Sequence, residues 1–164
     1  MKRLVIIRHA KTEQENYDRD YTRQLLPIGI NDAKNIANDL KERKIFPDSI
    51  ISSSAVRALA TAHIFAEKLG FQVDDISEEK VLYFEITPDG FIDMVQGTNN
   101  NIDTLFVIGH NPFMHIIAQR LSANYDGHMP TCSTVVFDFD IDNWNEVEPG
   151  KGTLFLHLYP SLYK

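Results

Sequence analysis

Short runs of apolar residues, set between polar segments, are the clearest pattern along the chain. Residues 4–7 and 104–109 are continuous and mostly apolar, which is typical of strands buried on both faces of a sheet. Ile50 and Ile51 form a shorter run of the same kind. The pattern predicts three buried strands, each followed by polar or ionisable residues.

Apolar positions at helical spacing lie between these runs and predict the helices. Residues 56–69 carry such a stripe and are followed by Gly70, a residue that often ends a helix in the left-handed conformation. Residues 52–54, three serines, are interpreted as a turn that caps this helix. The other predicted helices begin at Pro27, at Pro88 after a Thr87 cap, and at Pro112 after an Asn111 cap.

Alternating apolar and polar residues in 134–141 and 153–159 predict a pair of antiparallel edge strands. Because strands and helices alternate along the rest of the chain, we predict an α/β fold with helices layered on a largely parallel sheet. Residues 10–24 are polar and without pattern, and we predict a long loop there. No repeat or linker divides the sequence, so we expect residues 1–164 to form a single domain.

The composition is that of an ordinary folded protein, with 43% hydrophobic and 24% charged residues in a chain of 164. Its formal net charge of −7 disfavours a nucleic-acid partner, so any phosphate site must be a local basic pocket. The amino-terminal apolar run is too short for a signal peptide, and no run approaches the ~20 residues of a membrane span. We therefore expect a cytoplasmic protein that does not associate with a membrane.

Ionisable side chains follow the predicted strands at three places. Arg8 and His9 follow the first strand, Arg57 lies in the first turn of the helix after the short strand, and His110 follows residues 104–109. Ligands of α/β sheets bind at the carboxyl ends of the strands, so we expect these side chains to converge. Guanidiniums suit a phosphoryl group, whose negative charge is spread over three oxygens, because they donate in a planar, bidentate geometry. The sequence thus predicts a phosphoryl-transfer site.

His9 is the candidate nucleophile of this site. A neutral imidazole is a competent nucleophile near pH 7, since its ordinary pKa is about 6.5. We expect a backbone carbonyl to hold the other ring nitrogen, which leaves one nitrogen to react. The single cysteine, Cys132, is interpreted as a packed side chain. We expect no metal and no cofactor, because metal-ligand spacing is lacking among the remaining histidines His63, His115, His128 and His157.

Several segments carry a recognisable family pattern. Residues 4–10 (LVIIRHA), 52–62 (SSSAVRALATA) and 109–112 (GHNP) closely resemble the motifs of the histidine phosphatase superfamily. Residues 20–25 (DYTRQL) and 85–90 (EITPDG) resemble, more narrowly, the SixA-type phosphohistidine phosphatases. The resemblance covers nearly the whole chain in order. It departs from the family pattern at Ala10, where a glycine is usual, and this departure predicts tighter packing beside the site.

The resemblance implies a phosphoglycerate mutase-like fold, a three-layer α/β/α sandwich whose mostly parallel sheet ends in antiparallel carboxyl-terminal strands. It implies that His9 becomes a phosphohistidine intermediate. Arg8 and Arg57 would bind the phosphoryl oxygens, and His110 would stabilise the charge of the transition state. Arg23 is expected to add another phosphate contact.

The general acid is the role that the sequence leaves open. Glu85 lies in the right segment to protonate a leaving group, and it could equally be a surface carboxylate near the helix that begins at Pro88. Asp18 and Asp20 are interpreted as solvated loop charges.

Few residues lie between Gly70 and the second long strand, which leaves little room for a capping segment over the site. We therefore expect an enzyme that removes phosphate from phosphohistidine on a partner protein. Separately, we expect a monomer. A small-molecule phosphomonoesterase or mutase acting on a phosphate ester is the first alternative. A non-catalytic phosphate-binding module is the second.

Overall fold

One six-stranded sheet organises the protein in the computed structural model, which describes residues 1–14, 19–125 and 127–164. The strands are β1 Lys2–Arg8, β2 Ser49–Ser53, β3 Ser77–Glu79, β4 Thr104–Gly109, β5 Thr134–Phe139 and β6 Thr153–Leu158. The α-helices are α1 Pro27–Glu42, α2 Val56–Leu69, α3 Val81–Phe84, α4 Pro88–Gln96 and α5 Phe113–Leu121. Single 3-10 turns lie at Asp20–Thr22, Val73–Asp75, Trp144–Glu146 and Pro160–Tyr163.

The strands follow the order β3-β2-β4-β1-β5-β6 across the sheet. β3, β2, β4 and β1 run parallel to one another, whereas β5 and β6 are antiparallel additions beside β1. This confirms the predicted mostly parallel sheet with antiparallel carboxyl-terminal strands. The prediction that both late strands lie at an edge is wrong for β5, which pairs with β1 and β6 and is covered on both faces.

Side chains of β1 alternate between two hydrophobic cores, one on each face of the sheet. Leu4 and Ile6 pack into the core that contains the apolar sides of α4 and α5. Val5 and Ile7 pack into the core that contains the apolar sides of α1 and α2. All four side chains are fully buried. The fold is therefore the predicted α/β/α sandwich, and burial on both faces explains why residues 4–7 of the strand are all apolar.

The predicted helix boundaries hold where a cap residue marks them. α1 has Pro27 in its first turn. α2 ends at Gly70, whose φ of 74° lies in the left-handed region. α4 follows Thr87, whose hydroxyl accepts a hydrogen bond from the Gly90 amide at 3.0 Å. These contacts are local, which is why the sequence shows them.

Two predicted helix starts are displaced. Ser52 and Ser53 belong to the end of β2, and α2 follows Ala55 without a side-chain cap. α5 begins at Phe113, because Pro112 is its cap residue. The Asn111 side chain still accepts from the His115 amide in the first turn of α5 at 3.3 Å, and it donates to the Met129 carbonyl at 3.0 Å. In both places one polar side chain, Ser53 or Asn111, also makes a long-range contact that local sequence does not show.

Short elements were missed by the sequence patterns. β3 has three residues and α3 has four, which is too short for alternation or helical spacing to be visible. The loop predicted for residues 10–24 contains the 3-10 turn at Asp20–Thr22 and an isolated bridge between Thr12 and Leu25. Every helix in the described part of the chain is too short or too polar to cross a membrane.

A glycine fixes the approach of α1 to the segment after β1. A Cβ on Gly29 would overlap the backbone of Lys11, whose carbonyl accepts from the Leu26 amide at 2.9 Å. We expect Gly29→Ala to lower the free energy of unfolding by about 1–3 kcal/mol, because backbone atoms cannot move aside easily. Urea unfolding measures this. Gly97→Ala is the control, since a Cβ there meets neighbours at an ordinary 3.6 Å, and an equal loss in both variants would contradict the explanation.

Candidate active site

The register of the sheet brings the predicted site residues to one edge. β1 lies between β4 and β5, and Arg8 of β1 stands opposite Gly109 of β4. β2 flanks β4 on its other side. Three parallel strands therefore end together, and His9, His110 and Ser53 lie at their carboxyl ends. This is the convergence that the sequence predicted.

His9 is buried, with 6% of its surface exposed, and one ring nitrogen is bound by the backbone. Its Nδ1 lies 2.8 Å from the carbonyl oxygen of Ala10. A carbonyl only accepts, so this contact places the ring proton on Nδ1 and leaves a lone pair on Nε2. The expected backbone contact is thus present. Arg57 Nε donates toward His9 Nε2 at 3.4 Å, which turns the reactive nitrogen toward the guanidinium.

The segment after His9 is tied to α2. The Ala10 amide donates to the hydroxyl of Thr61 at 3.0 Å, and that hydroxyl donates to the Arg57 carbonyl at 2.8 Å. Ala10 and Thr61 are both fully buried, in keeping with the tight packing expected at Ala10. The nucleophile and the arginine are therefore held on one rigid frame.

His110 lies beside His9, with their ring centroids 5.2 Å apart. Its Nε2 is 2.7 Å from the hydroxyl of Ser53, while its Nδ1 is buried. The hydroxyl can donate to Nε2, in which case a neutral ring carries its proton on Nδ1. Within the described residues Nδ1 has no hydrogen-bond partner.

Both imidazoles are held in the neutral form. The pKa of His9 is lowered to about 3, chiefly by burial; the hydrogen bond to the Ala10 carbonyl opposes this shift, and positive charge on His110, Arg57 and Arg8 adds to it. Burial likewise lowers the pKa of His110 to about 4, with Arg57 as the next cause. A neutral His9 is the form that can attack phosphorus.

The two arginines at the site have different hydrogen-bond partners. Arg57 is 5% exposed, and its Nη1 donates to the backbone carbonyl of Asp20 at 2.6 Å. Arg8 donates from Nη1 to the Met129 carbonyl at 3.0 Å. Its Nε is buried and has no protein partner in the described part of the chain. An oxyanion between the two side chains could accept from both.

Asp20 is not the solvated loop charge that the sequence analysis expected. Its carboxylate accepts from Arg57 Nη2 at 3.3 Å, from Arg23 Nε at 3.0 Å and from the Tyr83 hydroxyl at 2.6 Å. Burial raises the pKa of Asp20, but these hydrogen bonds and charges outweigh it and lower the pKa below its ordinary value. Asp20 is therefore an ionised link between the site and its surroundings. Asp18 lies outside the described residues.

Arg23 and Glu85 are placed differently from the four central residues. The Arg23 guanidinium is bound by Asp20 and by the Thr12 hydroxyl at 2.9 Å, so it reaches the site through Asp20. Glu85 is exposed at the end of α3, and its carboxylate makes no hydrogen bond or ion pair with any described residue. The structure brings His9, His110, Arg8 and Arg57 together, and it leaves Glu85 on the surface.

Sequence reasoning missed Ser53, Asp20 and Tyr83 as members of the site. Asp20 and Arg23 are three residues apart, a spacing that could have suggested their ion pair. No local pattern identifies Tyr83, whose contact with Asp20 spans 63 residues. Cys132 is fully buried and its pKa is raised by that burial, which confirms that it is packed. No group of three or more His, Cys, Asp or Glu side chains in the described ranges could hold a metal ion.

The family comparison falls on this same part of the molecule. Paired imidazoles and guanidiniums at the end of a parallel sheet are the arrangement that the sequence analysis expected of a phosphoryl-transfer site. The model of the histidine phosphatase superfamily (branch 1) matches residues 4–80, which include Arg8, His9 and Arg57. Over residues 4–80 the chain is similar to the histidine phosphatase superfamily.

Known proteins share the fold over nearly the whole chain. An uncharacterised Mycobacterium tuberculosis protein, Rv1276c, is 26% identical over 163 residues, covering 90% of this chain and 96% of its own. A protein assigned as phosphohistidine phosphatase SixA from Agrobacterium tumefaciens has a TM-score of 0.80 at 23% identity, covering 97% of this chain and 98% of its own. The protein histidine phosphatase SixA in complex with tungstate has a TM-score of 0.79 at 21% identity, covering 99% of both chains.

A more distant likeness includes an enzyme of a different substrate class. The mycobacterial glucosyl-3-phosphoglycerate phosphatase Rv2419c has a TM-score of 0.65 at 15% identity and covers 94% of this chain and 97% of its own. At these identities the structural likenesses show a shared fold. The substrate of this chain must be argued from its own residues.

The low pKa of His9 predicts a loss of stability in acid. The folded pKa of about 3 lies below the unfolded value of about 6.5, so the unfolded chain binds more protons between these values. The His9 contribution is therefore complete above pH 6.5 and declines as the pH falls toward 3. Between pH 7 and pH 5 we expect wild type to lose about 1–2 kcal/mol more unfolding free energy than His9→Asn.

Urea unfolding at both pH values measures the difference. Asn at position 9 keeps a donor for the Ala10 carbonyl without titrating. The control is His63→Asn, an exposed position on α2, whose loss between pH 7 and pH 5 should equal that of wild type. Equal losses in wild type and His9→Asn would contradict the prediction.

Proposed function

We propose that this protein is a phosphatase of the histidine phosphatase superfamily, that it removes phosphate from phosphohistidine on a partner protein, and that His9 carries the phosphoryl group as a covalent intermediate. The main support for this proposal is the orientation of the His9 ring. Its Nδ1 is bound to the Ala10 carbonyl, its Nε2 faces Arg57 Nε, and the His110 ring lies beside it. A buried, neutral imidazole in this orientation is a prepared nucleophile.

The phosphoryl oxygens have donors from three directions. Arg8 Nε and His110 Nδ1 are buried and bind no other described residue, and Arg57 Nε faces His9. Buried polar atoms in proteins are normally hydrogen-bonded, so donors of this kind suit an anionic ligand. Because two guanidiniums meet the negative charge, the proposed reaction uses no metal ion or cofactor.

The reaction has two steps. His9 Nε2 attacks phosphorus in line, and the phosphorus–nitrogen bond to the substrate imidazole breaks while that imidazole takes up a proton from solvent. Water then attacks the phosphorus on His9, which releases inorganic phosphate and restores the neutral ring. His110 and the two arginines stabilise the charge on the equatorial oxygens in both steps.

The choice of a protein substrate follows from the surroundings of the site. Between β3 and α4 the chain forms only the four-residue helix α3, so we infer an uncapped site in a single domain of residues 1–164. An open site admits a phosphorylated side chain on a folded partner. The phosphorus–nitrogen bond is labile, which fits a site whose carboxylate Glu85 is on the surface. SixA, with the same fold, is a protein histidine phosphatase and binds tungstate, a tetrahedral oxyanion.

The proposal also covers the oligomeric state, the location and the partners of the enzyme. We propose a cytoplasmic monomer that meets its phosphorylated partner directly, without nucleic acid or a membrane. The formal net charge of −7 supports the exclusion of nucleic acid as a partner, because the net negative charge of the chain would repel a polyanion outside the site.

A small-molecule phosphomonoesterase is the second candidate. It is favoured by the fold shared with glucosyl-3-phosphoglycerate phosphatase. Hydrolysis of an alkyl ester requires a proton for the alkoxide leaving group, and Glu85 would have to supply it. Its exposed position, without a hydrogen bond to any described residue, favours the phosphohistidine substrate.

The proposal is tested with a phosphohistidine-bearing phosphotransfer domain labelled with radioactive phosphate. Wild type should release inorganic phosphate and carry acid-labile label on His9 in a rapid quench. His9→Ala should do neither, because it lacks the nucleophile. A panel of sugar, nucleotide and phosphotyrosine esters serves as comparison. Full turnover by His9→Ala would refute the mechanism, and binding without any trapped label would indicate a non-catalytic module.

Glu85→Gln separates the two candidate substrates. We expect turnover of the phosphohistidine domain to stay within about twofold of wild type, because the labile bond needs little help from a general acid. Steady-state phosphate release measures it. Glu78→Gln, at another exposed carboxylate in β3, is the matched control. Abolished turnover of a small ester by Glu85→Gln, with no activity on phosphohistidine, would establish the second candidate instead.

A further inference from the structure

Tyr83 contacts three residues of the site, although the proposed reaction gives it no role. Its hydroxyl donates to Asp20 Oδ2 at 2.6 Å. Its ring meets the His110 ring edge to face, with centroids 5.5 Å apart. The Arg57 guanidinium carbon lies over the same ring at 5.7 Å from its centroid. One side chain of the short helix α3 therefore contacts two residues that face the phosphoryl group, and a third that binds one of them.

Asp20 occupies one edge of the Arg57 guanidinium. The Asp20 carbonyl accepts from Nη1 at 2.6 Å, and its carboxylate accepts from Nη2 at 3.3 Å. A guanidinium carries five N–H groups in a rigid plane, so fixing one edge fixes the direction of the other. The remaining edge, which includes Nε, faces His9 Nε2 at 3.4 Å.

The Asp20 carboxylate is itself held by two donors besides Arg57. Tyr83 binds Oδ2, the oxygen that also accepts from Arg57, and Arg23 binds Oδ1 at 3.0 Å. Burial and the neighbouring carboxylate raise the pKa of Tyr83, so its hydroxyl remains a donor at neutral and mildly alkaline pH. Removing that hydroxyl leaves the carboxylate with fewer constraints on its position.

We infer that Tyr83, acting through Asp20, is a positioning residue that aims the Nε edge of Arg57 at the phosphoryl group on its path to His9. The inference rests on the proposed role of Arg57 as a phosphoryl donor. It does not depend on which phosphorylated molecule is the substrate. Tyr83 does not touch the phosphoryl group, so its effect must pass through Arg57.

Tyr83→Phe tests this, because it keeps the ring beside His110 and removes only the hydroxyl. The probe is tungstate, whose dissociation constant is measured by isothermal titration calorimetry. We expect Tyr83→Phe to weaken tungstate binding by about threefold to tenfold, since it removes one hydrogen bond to a charged group. In an Arg57→Ala background the same change should have no further effect, which a double-mutant cycle reveals.

Tyr21→Phe is the matched control. Tyr21 lies in the same aromatic cluster, with its ring centroid 4.9 Å from that of Tyr83, and its hydroxyl binds no other described residue. Its tungstate affinity should equal that of wild type. Urea unfolding of each variant shows whether a loss of affinity accompanies a loss of fold, and Tyr83→Phe should unfold within the range of Tyr21→Phe.

The outcomes separate this inference from the proposed function. Arg57→Ala binding tungstate as well as wild type would overturn the phosphoryl role of Arg57 and with it both proposals. Weak binding by Arg57→Ala with normal binding by Tyr83→Phe would overturn the positioning role alone. An equal loss from Tyr83→Phe with and without Arg57 would also overturn it. Failure to hydrolyse phosphohistidine, with the coupled loss present, would refute the substrate and leave the positioning role in place.

Discussion

The parallel pairing of β1 with β4 and of β4 with β2 is the constraint on which the site depends. Parallel strands end at the same edge, so residues far apart in the chain meet without any contact of their own to draw them together. Arg8 and Gly109 stand opposite each other, and the histidines that follow them are therefore neighbours, with ring centroids 5.2 Å apart. The apolar cores on both faces hold that register, because a slip of one residue would turn Leu4 and Ile6 to the wrong core.

Charge at this edge is arranged around two neutral rings. Two guanidiniums and two imidazoles packed together would repel one another if all were charged, and burial would add a desolvation cost. This repulsion is avoided because the pKa of both histidines is lowered, to about 3 for His9 and about 4 for His110, so that both rings are neutral. The lasting positive charge then belongs to the arginines, and His9 keeps the lone pair on which a phosphatase mechanism relies. The backbone carbonyl of Ala10 decides which nitrogen carries that lone pair.

An ionised carboxylate beside an anion-binding site is at first sight unfavourable, yet Asp20 is held there by three side-chain donors. It neutralises part of the positive charge and binds Arg57 on the edge that does not face His9. An arginine side chain is flexible, and its guanidinium is useful in catalysis only when its direction is fixed before the substrate arrives. Through Tyr83 this network extends to α3, the short helix that stands between β3 and α4.

The sequence by itself determined the strands β1 and β4, the helices that begin at Pro27 and Pro88, and the end of α2 before Gly70. It also determined that Arg8, His9 and His110 lie at strand ends and that Arg57 lies in the first turn of α2. These features arise from apolar periodicity and cap residues, which act over a few neighbouring positions. Only the tertiary structure decided how the site residues are supported. The contacts of Ser53 with His110, Arg57 with Asp20 and Tyr83 with Asp20 span 57, 37 and 63 residues. The residues next to a polar residue in the sequence do not indicate which distant residue it will contact. For this reason the sequence predicted a helix cap at Ser53 and a solvated charge at Asp20, whereas the folded sheet places their partners beside them.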